Sequence, residues 1–189
     1  LNLEGEDKTF HLADEKFFDM LKKKPVIVNA ARGEVVSTED LLKAFEDGKI
    51  LATTIDCWEN EPNIDGRLLE KSALTTPHIA GYSAEGKANA ASQCVQAVSK
   101  FFGLGLDNWQ VENLPAPFAV DLTSVNSPED FFLKTYCIVD ESNQLKSEPQ
   151  AFEYQRSHYP FRREPAAYLS QLKEDFQNKL TLQFPLFFK

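Results

Sequence analysis

Three short apolar runs, each ending in a polar or glycine-containing turn, constrain this chain more than any other feature. They are "PVIVNA" at 25–30, "ILATTIDCW" at 50–58 and "ALTTPHI" at 73–79. The first is β-branched and does not alternate, the pattern of a strand buried on both faces of a parallel sheet. Helical signals lie between and before the runs. "LADEKFFDMLKKK" carries its acids early and its lysines late, matching the helix dipole. "STEDLLKAFEDGK" offers Ser37 or Thr38 as N-cap, acids in the first turn and Gly48 as terminator. The order helix, strand, helix, strand, strand predicts a doubly wound α/β sheet. Ligands of such sheets bind at the carboxyl ends of the strands. Those ends carry Asn29-Ala30-Ala31-Arg32-Gly33, the stretch 56–62 and the stretch 78–83.

Beyond the third run, Ser83 caps a predicted helix reaching about Lys100, stopped by Gly103 and Gly105. "NLPAPF" at 113–118 reads as a Pro-rich linker. After it come a helix over 127–145 with Ser127 as N-cap and Pro128 at its first position, and a helix ending near Pro160. A last helix over about 172–180 precedes the apolar tail "LTLQFPLFFK". The expected domains are 1–110, the second half of a Rossmann-like doubly wound parallel sheet plus a crossover helix, and 111–189, a small α+β region. The small region is aromatic-rich and has a thin core, which suggests an oligomer contact.

Net charge is -9 and the isoelectric point about 4.9, which argues against a nucleic-acid partner. The three cysteines are scattered, with no CxxC pair, so neither a disulfide framework nor a zinc site is expected. A reducing cytoplasm fits best. No apolar run approaches the roughly 20 residues of a membrane span. The opening "LNLEGEDKTF" has no signal-peptide pattern and begins without Met, in mid-pattern, so a fragment is expected.

"TTPHIAGYSAEGKA" at 75–88 admits two chemistries. From Gly81 it nearly fits the phosphate-loop pattern G-x-x-x-x-G-K-[ST], but Ala88 stands where a hydroxyl must hold magnesium. A dinucleotide fingerprint is also absent: the one G-x-G, Gly103 to Gly105, is a helix stop. The other chemistry is acid/base. His78 lies at a predicted strand end with small residues behind it, whereas His11 and His158 read as structural. Arg32, just past a buried strand, has a fork suited to a carboxylate, although a surface salt bridge is its plain alternative. Asp56 and Glu61 in "DCWENEP" are acids that can orient an imidazole, or simply solvated loop residues.

"VIVNAARGEVV", "DCWENEP" and "TPHIAGYS", in that order, resemble the second half of the D-isomer-specific 2-hydroxyacid dehydrogenases. The resemblance runs to about Leu182 and includes the ending "FEYQRSHYPFRRE". It implies NAD as cofactor, a small phosphorylated 2-hydroxy acid as substrate, and a homodimer built through the C-terminal region. It also implies residue roles. Arg32 would bind the substrate carboxylate and also touch the cofactor. His78 would exchange the hydroxyl proton and Glu61 would hydrogen-bond His78. Asp56 would contact the nicotinamide, Ala30, Ala31 and Gly81 would touch the cofactor through backbone atoms, and Tyr82 would reach the substrate. Arg162 and Arg163 are expected in a salt bridge at the dimer interface, with a phosphate contact as the alternative. A sibling dehydrogenase of phosphoglycerate or glyoxylate type and a non-catalytic dimerising fragment stay open at this level.

Overall fold

A computed structural model describes residues 1–185, 187 and 188; Leu186 and Lys189 of the apolar tail lie outside the described residues. The chain divides into two compact units, Leu1–Ala80 with Ile138–Tyr159, and Gly81–Cys137 with Pro160–Lys189. This division departs from the expected boundary at 110/111. The chain leaves the first unit at Gly81, returns at Ile138 and leaves again at Pro160.

In the first unit β1 (Val26–Asn29), β2 (Ala52–Ile55) and β3 (Leu74–Thr75) form a parallel sheet in the order β1-β2-β3. The three predicted runs all contain strands, each shorter than its run. α1 (Glu15–Asp19) is capped by Asp14, which accepts from the Phe17 N–H. It ends at Asp19 with Met20 as C-cap, well short of the predicted lysines. α2 (Thr38–Glu46) is capped by Ser37, as its sequence predicts, and buries Leu41, Leu42 and Ala44. α3 (Gly66–Lys71) was not foreseen, yet parallel neighbours β2 and β3 require a crossover. Asp65 caps it through the N–H groups of Arg67 and Leu68, and it buries Leu68 and Leu69.

One sheet face is buried through Thr53, Ile55 and Thr75, and the helices' leucines join Ile55 in one core cluster. The other face is open: Val26 is 51% exposed and Val28 64%. This corrects the expectation that β1 is covered on both sides. It is an edge strand of the sheet, and among the described residues of this unit no helix covers that face. α6 (Ile138–Ser147) closes the far edge, where Ser142 Oγ accepts the Thr75 N–H at 3.1 Å. α7 (Phe152–Ser157) follows and adds Phe152 to the same core, ending before Pro160 as expected.

The second unit holds α4 (Ala84–Phe102), capped by Ser83 and closed by left-handed Gly103. It also holds α5 (Pro128–Thr135) and α8 (Glu174–Gln183). The helix predicted over 127–145 is broken, since Tyr136 is extended, and its second part is α6 of the other unit. The core here is Leu122, Phe131, Tyr168, Leu172 and Leu180. Among the described residues of 111–189 there is no strand, only an isolated bridge between Ser83 and Arg162, so the α+β expectation is not met. Phe101 and Phe102 are 82% and 67% exposed at the end of α4.

Candidate active site

The loops that leave the three strands are cross-linked by a few buried groups. Asn29, at the end of β1, donates from Nδ2 to the Arg32 carbonyl at 3.0 Å and to the Cys57 carbonyl at 3.1 Å. Its own carbonyl accepts the N–H groups of Asp56 and Cys57. The first loop is therefore fastened to the second. Gly33 makes the fastening close: a Cβ there would stand 1.9 Å from the Trp58 carbonyl oxygen. Trp58 in turn donates from its indole to the Thr76 carbonyl at 2.9 Å, joining the second loop to the third. Sequence reasoning quoted Asn29 and Trp58 within their motifs but gave neither a role.

Glu61 and His78 meet on this frame. His78 Nδ1 lies 2.8 Å from Glu61 Oε2 and 3.1 Å from Oε1, and both side chains are about one-fifth exposed. Glu61 Oε1 also accepts the Trp58 N–H at 2.8 Å. His78 is left-handed, with φ 56°. Its ring is thus oriented by a carboxylate through Nδ1, leaving Nε2 for a reacting partner.

Asp56 is buried, and its carboxylate faces inward. Oδ1 accepts from the Thr76 hydroxyl at 2.6 Å and the Ile79 N–H at 2.7 Å, and both oxygens lie within 3.2 Å of the Ala80 nitrogen. Cys57 is buried beside it. Burial, and then the charges of Asp56 and Glu61, push the Cys57 thiol up to about 12, against a smaller pull from the Arg32 charge. Arg32 itself is exposed and donates to the Ala31 carbonyl at 2.6 Å. Ala30 and Ala31 are exposed too, so the backbone at the exit of β1 is open to a ligand.

Gly81 and Tyr82 belong to the second unit. A Cβ on Gly81 would meet nothing within 4 Å. Tyr82 packs edge-on against Phe161, and the Lys87 ammonium lies 3.9 Å from its ring centroid. Arg163 pairs with Glu85 at 2.7 Å, and the Glu164 N–H donates to the same carboxylate at 2.9 Å. The Arg162 guanidinium lies over Tyr136. The arginine motif thus has a salt-bridge partner inside the chain, where an interface partner was expected. His11 pairs with Glu59 at 2.7 Å, and His158 stacks on Tyr154. Glu59 also accepts the Thr38 N–H at 2.7 Å, holding the start of α2.

Residues 1–80 match the D-isomer specific 2-hydroxyacid dehydrogenase NAD binding domain. Over those residues the chain is similar to this family. The matched segment contains every strand among the described residues, together with Arg32, Glu61 and His78. Two relatives extend the match beyond it. An erythronate-4-phosphate dehydrogenase from Bacteroides thetaiotaomicron is 47% identical over 165 residues, 87% of this chain and 47% of that protein. One from Porphyromonas gingivalis is 38% identical over 173 residues, 89% of this chain and 47% of that protein. The chain thus spans about half the length of these curated relatives. A solved D-lactate dehydrogenase from Aquifex aeolicus, complexed with NAD and lactic acid, is 25% identical with a TM-score of 0.42, covering 56% of this chain and 38% of that one.

Proposed function

We propose that this chain is the C-terminal part of an NAD-dependent 4-phosphoerythronate dehydrogenase, a homodimeric cytoplasmic enzyme. It would oxidise 4-phospho-D-erythronate to 3-hydroxy-2-oxo-4-phosphooxybutanoate on the way to pyridoxal 5'-phosphate. The Glu61–His78 pair carries the reaction class: it is an oriented imidazole at the carboxyl ends of parallel strands, inside the family-matched segment. Substrate choice rests on the names of relatives matched over most of the chain. Exposed Phe101 and Phe102 favour self-association. Among the described residues no helix is long and apolar enough to cross a membrane.

The residues present fit a dinucleotide at one end only. Ala30 and Ala31 leave the β1 exit uncovered, but no glycine-rich phosphate turn lies in this sequence. NAD, held in part by the exposed backbone of Ala30 and Ala31, would supply the hydride-accepting chemistry. His78 Nε2 takes the proton of the C2 hydroxyl, so the C2–O bond becomes a carbonyl as the C2–H bond breaks. Glu61 keeps Nδ1 protonated and meets the positive charge that develops on the ring. Arg32 offers its fork to the substrate carboxylate, giving up its contact with the Ala31 carbonyl. Tyr82 would contact the substrate.

The test is NADH formation by the complete enzyme of which we propose this chain is a part. Oxidation of 4-phosphoerythronate should far exceed that of 3-phosphoglycerate. The reverse order would move the assignment to a sibling dehydrogenase. The 189-residue chain alone should show no turnover.

A further inference from the structure

We infer that Asn29 is a positioning residue that acts through Arg32: its buried amide sets where the arginine leaves the sheet. Asn29 ends β1 and is 4% exposed. A buried primary amide must place two donor protons and an acceptor oxygen. All three are placed on the loops that follow β1 and β2. Nδ2 donates to the Arg32 carbonyl at 3.0 Å and to the Cys57 carbonyl at 3.1 Å, and Oδ1 accepts the Ala31 N–H at 3.2 Å. These partners fix the orientation of the amide, since turning it over would set an oxygen against two carbonyls.

Arg32 is held by its backbone and free in its side chain. Its carbonyl accepts the Asn29 amide and also the Val35 N–H at 3.2 Å. Its main chain is extended, with φ -149° and ψ 148°. On its far side Gly33 lies so close to the Trp58 carbonyl that no Cβ fits. The arginine is therefore fixed from before and from after, and both constraints refer it to residues 57–58. Its guanidinium, by contrast, is exposed and donates to the adjacent Ala31 carbonyl, a local contact that a carboxylate can displace. Glu61 hangs from the same stretch through the Trp58 N–H at 2.8 Å. Asn29 thus puts the arginine and the acid that orients His78 on one reference. Aspartate has the shape of asparagine but offers oxygen where both carbonyls need a donor, and serine has one donor where two are needed.

The catalytic consequence rests on the reading of Arg32 as the clamp for the substrate carboxylate; the geometric consequence does not. The two are read separately. In this chain the Nδ2 protons of Asn29 should give a slowly exchanging side-chain amide pair by NMR, assigned by its loss in Asn29→Asp. A pair that exchanges as fast as that of exposed Asn143 would overturn the inference whatever the activity. In the complete enzyme, Asn29→Asp should lower kcat/KM for 4-phosphoerythronate by about 10²-fold, the cost of misplacing a binding group by about an ångström. In an Arg32→Ala background the same substitution should cost no more than about threefold, because the residue through which it acts is gone. Equal losses in the two backgrounds would show a general structural effect and overturn the inference. If Asn29→Asp does not fold, Asn29→Ser enters the same cycle, and equal losses there overturn it equally. Absence of dehydrogenase activity in the wild-type complete enzyme would sink the functional reading alone, because the amide pair reports on the brace without it.

Discussion

Nδ1 of His78 and Oε2 of Glu61 stand 2.8 Å apart, although the two residues leave different strands and lie 17 positions apart in sequence. The contact fixes which ring nitrogen is free for chemistry. Glu61→Gln in the complete enzyme should therefore lower kcat by about 10²- to 10⁴-fold, the span of general acid–base catalysis. NAD affinity, measured by calorimetry, should hardly move. A wild-type rate in His78→Ala would end the assignment of His78 as base.

Gly33 is irreplaceable for a reason that has nothing to do with backbone flexibility. The obstacle to a Cβ is the Trp58 carbonyl 1.9 Å away, and a main-chain carbonyl held in a buried loop cannot step aside. Gly33→Ala should cost about 1–3 kcal/mol and lower the melting temperature by roughly 3–10 °C. Gly81→Ala is the control, since a Cβ there meets nothing within 4 Å. Its melting temperature should match the wild type, and equal melting of both variants would contradict the packing.

Glu59 predicts an acid-sensitive contribution to stability. Burial alone would raise its carboxyl, but hydrogen bonds from Thr38 and His11 outweigh burial and hold it below the ordinary carboxylate range. The folded value thus lies under the unfolded one. The stabilisation is fully present above the unfolded value of about 4.3 and is lost as pH falls through the folded value. Unfolding free energies of wild type and Glu59→Gln, from urea titrations, should differ by about 1 kcal/mol at pH 6 and converge toward pH 3. A constant gap across that range would refute the linkage.

Cys57 should be chemically silent. With its thiol pushed up to about 12, only about one molecule in 10⁴ carries a thiolate at pH 8. Exposed Cys94 should react with a disulfide reagent in the native protein, and Cys57 only after denaturation. Peptide mass mapping distinguishes them. Equal native labelling would mean that Cys57 is not buried against Asp56.

How much of this was legible beforehand can be followed residue by residue. β1, β2 and β3 were visible because β-branched runs stop at polar turns, and Ser37, Ser83 and Ser127 were visible because capping is local chemistry. α3 was missed: "NIDGRLLEKS" opens with loop-forming residues, and Asp65 was not recognised as its cap. The open face of β1 was hidden from sequence because burial depends on what lies above a strand, which a run of valines does not record. The family resemblance singled out Glu61 as the partner of His78, and the geometry brings the two together. The inward turn of Asp56 is unreadable in sequence, since its donors, the Thr76 hydroxyl and the Ile79 and Ala80 N–H groups, lie 20 to 24 positions further along the chain.

The converging N–H groups after β3 have one more consequence. They form an anion cradle whose anion is covalently part of the chain, so the cradle is never vacant. A phosphate or carboxylate arriving from solution finds those donors already engaged. The near-match to a phosphate loop that begins at Gly81 therefore starts just after a turn whose anion is internal, and the positive charge that a free acid would seek lies one loop away, on Arg32.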